Sequence, residues 1–328
     1  MQTTAYKHLR YSLVLALIVL AGCESAPFKI GIWKDKDIPA EKAEKLRRLN
    51  TELFKAIKTD RDDAELLFSK NYLEQKNIKV QFDYVNKLRS ENEYVLLEDY
   101  YIVNKGLSDD ELEPINNTEI NYVPLAKEMY IAFFIPKNAQ NKLMLTVAYG
   151  KFSYGWKAQH MALGYYTQQG KTATECYEMA KKDYANGYLV NAINNITMAL
   201  NCLSPSRYWK QPNSKEINDF ADRIITEANE KITYPIVLRG IKSKPAIFSI
   251  SSHSREEGVT QYVYYLTKIK LTDRAALEEE NQQIKQQLPK IFAGIDKGKK
   301  NMLYSAMNQK PVAGESINHV DFEEKIDN

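Results

Sequence analysis

The chain has 328 residues, a formal charge of +3, and 44% hydrophobic, 27% charged and 11% aromatic residues. That length suits two or three domains, and the apolar share supports packed cores and excludes a chain disordered throughout. Near-neutral charge excludes a general electrostatic attraction to nucleic acid, and three cysteines are too few for a disulfide scaffold.

The N-terminus reads as an address. Lys7, His8 and Arg10 precede an apolar run from Tyr11 to Leu20. At about ten residues that run is too short to cross a hydrocarbon layer of roughly 30 Å. A basic front, a short apolar core and small residues after it form a secretory signal. The residues that follow, Leu20-Ala21-Gly22-Cys23, resemble the lipobox of bacterial lipoproteins. The resemblance implies cleavage before Cys23, diacylglycerol on its sulfur and an acyl chain such as palmitate on its new amino group. It implies a cell-envelope protein held to a membrane through this lipid. Glu24, where aspartate favours the inner membrane, points to the outer membrane if the host is Gram-negative. Removing residues 1–22 takes away Lys7 and Arg10 and no acid, which leaves a charge of +1.

Residues 23–39 contain Pro27, Pro39 and alternating charges and read as a tether. Over 40–74, Leu46, Leu49, Leu53, Phe54 and Ile57 recur at helical spacing, with a break at Thr59-Asp60-Arg61-Asp62-Asp63. The period then changes. Residues 93–103, 129–135, 143–149 and 156–166 are β-rich, the last two runs joined around Ser153-Tyr154-Gly155, and Asn104–Asn121 reads as a polar loop. This order, with Leu-x-Val-x-Tyr-Gly-Lys-x-x-x-Gly-Trp-Lys at 145–157, resembles nuclear transport factor two-like and cystatin-like domains. It implies a helix packed on a curved antiparallel sheet over 40–166. Some cone-shaped enzymes of this kind use an acid–base pair inside the cone. Here Asp99 and His160 form such a pair if both face inward, in a pocket with Tyr101 and Tyr130.

Residues 172–203 resemble one tetratricopeptide repeat, with Ala180, Ala192, Ile196, Ala199 and Leu200 at helix-packing positions, Gly187 at the turn and Pro205 after the second helix. A helix over 215–231 covers its open side, so 167–232 forms a helical module. Folding the hairpin about Gly187 brings Cys176 and Cys202 to the same end. They form either a disulfide, contributing about 3–4 kcal/mol for a loop of this size, or two reduced core residues.

From 233 to 310 the sequence suggests an α+β unit. Strands are expected at 236–238, 246–250 and 262–271. A helix should run from Thr272 or Asp273 to Gln287 with Pro289 ending it, and a second helix over 296–308. Residues 311–328 read as a polar tail. The whole is therefore α+β.

No motif assigns catalysis. Gly164 and Gly170-Lys171-Thr172 imitate a phosphate loop, but five residues separate the glycines where four are required, so no nucleotide is expected. His160, His253 and His319 are scattered, without metal-ligand spacing, and there is no serine-nucleophile motif. No catalytic residue, metal or cofactor is assigned. Tyrosine is the compositional excess, with 22 residues and pairs at 100–101, 165–166 and 264–265, which suit a contact surface. The expectation is a lipid-anchored envelope protein, a non-enzymatic binding or scaffold module with envelope protein partners and no nucleic acid or nucleotide. The alternative is a small-ligand-binding or catalytic cone-like domain facing the periplasm.

Overall fold

Runs such as Met129–Ile135, apolar at every position, suit a strand covered on both faces better than one with a wet side. The computed structural model describes residues 30–59, 61–74, 78–105, 115–116, 119–312 and 316–326. The signal, Leu20, Ala21, Gly22 and Cys23 lie outside them, as do residues 106–114 of the expected loop.

The first unit comprises β1 (Gly31–Lys34), a short 3-10 turn (Asp35–Asp37), α1 (Ala40–Thr59), α2 (Arg61–Leu66), α3 (Lys70–Leu73) and α4 (Ile78–Glu91). It continues with β2 (Tyr94–Val103), the small pair β3 (Ile115–Asn116) and β4 (Asn121–Tyr122), then β5 (Glu128–Pro136), β6 (Leu143–Phe152) and β7 (Gly155–Tyr165). The main sheet has the order β1-β2-β5-β6-β7, antiparallel throughout. On one face, Leu46, Leu53 and Phe54 of α1 and Phe82 and Val85 of α4 pack on Tyr101, Tyr130, Ala132, Leu145 and Val147. On the other, Tyr100, Met129, Ile131 and Phe133 lie beneath Ile120, Tyr122, Tyr208 and Trp209. Every residue of β5 is accordingly buried.

One correction concerns the tether. Residues 31–34 are not free chain but the first edge strand, with Gly31 opposite Val103 and Lys34 opposite Tyr100. Ile32 and Trp33 point to opposite faces and each reaches a core, Trp33 stacking on Tyr101 with ring centroids 5.5 Å apart. The prolines of this segment bracket the strand.

The central unit is a helical hairpin, α5 (Ala173–Ala185) and α6 (Leu189–Asn201), followed by α7 (Ser214–Lys231). Thr172 and Glu175 close a capping box at the start of α5, and Gly187 turns the chain with φ +77°. Ala180, Ala192, Ile196 and Ala199 let the helices approach, and Ile217, Phe220 and Ile224 of α7 cover them. The α6–α7 connection delivers Tyr208 and Trp209 to the first sheet. There Trp209 meets Phe133 edge-on at 5.6 Å. A Cβ on Gly164 of β7 would lie 2.2 Å from the Pro205 carbonyl oxygen, so only glycine permits this approach.

The third unit contains β8 (Ile236–Val237), β9 (Ala246–Arg255), β10 (Gly258–Leu266), α8 (Arg274–Ile291), β11 (Asn301–Met307) and β12 (His319–Lys325). Its sheet runs β12-β11-β10-β9-β8, with β10 and β11 parallel across the α8 crossover. Leu277, Ile284 and Leu288 of α8 pack on Val263, Tyr265, Met302, Tyr304 and Phe322. Asp273 caps α8, whereas Pro289 sits inside its last turn instead of ending it.

Two further expectations are corrected here. Residues 301–307, expected within a helix, form β11. Met302, Leu303, Ala306 and Met307 fit a helical stripe, but Met302, Tyr304 and Ala306 fit a strand face equally well, and α8 offers them a partner. Residues 319–325 of the expected tail form the edge strand β12, fixed by Phe322, which enters the core opposite Tyr304. Among the described residues no helix is long and apolar enough to cross a membrane.

Cys176 and Cys202 stand in the hairpin core as free, buried thiols. Burial pushes both pKa values up to about 12, so neither forms a reactive thiolate at neutral pH. Ellman's reagent should therefore leave both untouched in the native protein. In denaturant without reductant both should react, whereas a disulfide between them would keep both silent.

Candidate functional site

Helix α6 carries asparagine at 191, 194, 195 and 201, an expensive choice for a helix interior because the side chain competes for backbone hydrogen bonds. The apolar residues Ala192, Ile196 and Ala199 face α5 and α7. The asparagines tie the helix to its surroundings, Asn191 and Asn194 to the third unit and Asn195 to α5. Asn191 is buried, and its Nδ2 donates to the carbonyls of Gly294 at 2.6 Å and Lys297 at 3.1 Å. Asn194 donates to Gln261 of β10 at 2.9 Å, Asn195 to Asp183 of α5 at 2.6 Å, and Asn201 to Gln168 at 3.3 Å. Val190, next to them, packs into the core of the third unit.

Between this helix face, the β9–β10 turn and the 297–300 loop lies a cleft of about 690 Å³, within the usual range for ligand sites. Lys171, Lys182, Lys297, Lys299 and Lys300 line it, against the two acids Asp183 and Glu257. Amides from Gln168, Gln169, Asn194 and Asn195 and hydroxyls from Thr197, Ser252 and Ser254 complete a polar wall. Met179, Met198 and Val259 give a small apolar patch. The first unit meets the third nearby, where the backbone amides of Gln140 and Asn141 donate to Glu256 at 3.0 and 3.1 Å.

Lys299 is the distinctive group. Its side chain is 5% exposed, and its ammonium donates to Asn191 Oδ1 at 2.9 Å. Burial lowers its pKa to about 8, with the charges of Asp183 and Asp296 opposing. Asp183 is in turn raised by burial, against the hydrogen bond from Asn195 and the charge of Lys299. The arrangement holds a partly desolvated cation near Asp183 among neutral amides, and the excess of lysines over acids in the lining suits an anion bearing hydroxyl or amide groups. Of the lining residues, the sequence singled out only Lys171, in the imitation of a phosphate loop, and His253, as a scattered histidine, and neither as part of a cleft. The available signal was the asparagine spacing on α6, overshadowed by the alanine pattern of the same helix.

The four residues considered for a cone pocket are divided by the sheet. Asp99, Ala132, Val147 and Met161 form one cross-strand row on the helix-facing side, whereas His160 pairs with Ala148 on the opposite face. The acid–base pair of Asp99 and His160 is therefore not formed. Asp99 is fully buried and receives Arg47 Nε at 2.8 Å, Arg47 Nη2 at 3.1 Å and the Tyr130 hydroxyl at 3.0 Å. Asn50 donates to Tyr130 at 3.1 Å and accepts from Tyr149 at 3.0 Å. Tyr101 donates to Glu128 at 2.5 Å, and Lys151 also pairs with that carboxylate. Burial pushes Glu128 up, but the bonds from Lys151 and Tyr101 outweigh it and hold the pKa below its ordinary value. These groups satisfy one another and tie α1 to the sheet. Among the described residues no group of three or more His, Cys, Asp or Glu side chains could hold a metal ion.

On the third sheet, the face away from α8 carries a run of rings. Phe248 lies 6.1 Å from Tyr264, Tyr264 stacks on Tyr262 at 6.0 Å, and Tyr262 meets His253 at 4.7 Å. No family model matches the chain, and no curated protein or solved structure matches it significantly.

His160 lies beside Tyr208 at 5.3 Å, and burial, with the charge of Arg207, lowers its pKa to about 4. Above pH 6.5 the ring is neutral folded and unfolded, and costs nothing. Between pH 6.5 and about 4 the unfolded chain gains a proton that the folded chain refuses, so stability falls with pH. Denaturant titrations across this window should show His160→Gln losing less stability than wild type, by roughly 2–3 kcal/mol at its lower end.

Proposed function

We propose that this protein is a lipid-anchored cell-envelope binding module whose cleft between the helical hairpin and the third sheet takes an anionic ligand rich in hydroxyl and amide groups. The observation that carries the reading is the set of five lysines and fixed amides between the helical hairpin and the third sheet. The lipid attachment at Cys23 is supported by the Leu20-Ala21-Gly22-Cys23 motif after a short apolar run. Envelope protein partners would meet the ring-bearing face formed by Phe248, Tyr262 and Tyr264.

Labelling cells with radioactive palmitate tests the anchor: wild type should take the label and Cys23→Ser should not. Calorimetric titration with N-acetylmuramyl dipeptide, against a neutral glucose oligomer as control, tests the cleft. Binding should be confined to the anionic probe and about tenfold weaker in Lys182→Glu/Lys300→Glu. It should also fall as pH rises through about 8, where Lys299 loses its charge, and Lys299→Gln should abolish that dependence. Equal affinity in the charge-reversed variant would refute the assignment of the cleft.

A further inference from the structure

The two ends of the first sheet differ. At one end Gly31, Val103 and Glu128 stand side by side on β1, β2 and β5, and Lys151 of β6 pairs with Glu128. One residue further along, the β6–β7 turn projects. Its Tyr154 is 65% exposed and stacks on Phe152, with ring centroids 5.3 Å apart and planes within 9°. Leu66, 69% exposed, lies near β7 two strand pairs back from the turn, where Lys157 donates to its carbonyl at 2.5 Å. Ile30, immediately before β1, is 54% exposed. Tyr154 stacked on the half-buried Phe152 thus makes an apolar projection at this end, with Leu66 and Ile30 as separate exposed apolar side chains. Lysines rim the same end. Lys42 and Lys151 reach Glu128, Lys157 flanks the turn, and Lys105 follows Asn104, whose amide bonds to the Lys127 carbonyl.

The chain before β1 fixes what this end can reach. Cys23 is eight residues from Gly31, at most about 27 Å of extended chain. Three strand spacings from β1 to β6 take about 14 Å. A bilayer holding an acylated Cys23 is therefore within reach of the β6–β7 turn, and it is the opposite end of the sheet that meets the third unit, through Gln140 and Asn141. Resting on the reading of Cys23 as a lipid attachment site, we infer that the β6–β7 turn, with Phe152, Tyr154 and the neighbouring Leu66, inserts into the headgroup layer of that membrane. Tyrosine rings settle at this depth because one end is apolar and the other wet, and lysines add attraction to anionic headgroups.

The experiment uses the full-length chain, purified from membranes and reconstituted in equimolar phosphatidylethanolamine–phosphatidylglycerol vesicles. An environment-sensitive fluorophore is placed at Ser153→Cys or, at the far end of the sheet, at Lys137→Cys, with nitroxide-labelled lipid as quencher. Quenching should be about threefold greater at 153 than at 137. Phe152→Ser/Tyr154→Ser should remove the difference while palmitate incorporation is unchanged. Palmitate incorporation with equal quenching at both positions overturns the insertion and leaves the anchor standing. Protection of the 153 probe from lipid and aqueous quenchers alike also overturns it, by assigning the turn to a protein partner. Absence of palmitate overturns the anchor and the insertion with it.

Discussion

Buried amides must be hydrogen-bonded, and in this protein that requirement sets how the units are joined. Asn191, Asn194 and Asn195 on α6 each find a partner on a different element: carbonyls before β11, Gln261 in β10 and Asp183 in α5. A buried donor left without its partner costs about 1–3 kcal/mol. Apolar contact, as at Val190, supplies adhesion but little direction. The amides supply direction. Asn191 and Asn194 hold the hairpin at one angle to the third unit, Asn195 ties α6 to α5 within the hairpin, and the cleft is the space that this angle leaves open. Gly294 belongs to the same constraint. It takes φ +70°, and a Cβ there would lie 2.5 Å from the Tyr188 ring, so the loop comes close enough to accept from Asn191 only because this residue is glycine.

The first sheet depends on its neighbours in another way. Its helix-facing side is closed by its own α1 and α4, but the opposite side is closed partly by Tyr208 and Trp209 from the helical module. The polar groups beneath α1 pair with one another and read as joinery. Arg47 reaches Asp99 with two nitrogens, and the chain from Asp99 through Tyr130 and Asn50 to Tyr149 crosses the sheet beneath α1. A buried carboxylate persists there because a bidentate guanidinium and a hydroxyl replace the water it has lost.

What the sequence revealed followed the strength of each local signal. The α+β class, the hairpin turn at Gly187 and β5 were legible, because glycine and unbroken apolar runs act locally. The edge strands β1 and β12 were not. Residues 31–34 and 319–325 are short and flanked by polar chain, and only the partners they dock against, Tyr101 and Tyr304, make them strands. The segment 301–307 satisfied two periods at once, and the choice fell to α8, a tertiary neighbour. The opposite placement of Asp99 and His160 depends on register across four strands, with a bulge between Ala148 and Tyr149, which no single segment encodes. The cleft was least legible because its lining comes from segments more than a hundred residues apart, from Gln168 to Lys300.

The antiparallel sheet also acts as a spacer. Strand β5 runs nine residues from Glu128 to Pro136, about 27 Å. Gly31 lies level with one end, and the contacts with the third unit lie at the other. At physiological ionic strength charges are screened within about 8 Å. A membrane near Gly31 would thus stand several screening lengths from the lysines of the cleft. Anionic headgroups would neither occupy those lysines nor repel an anion approaching them, so the same cation chemistry can serve a lipid surface at one end of the molecule and a dissolved ligand at the other without competition between the two.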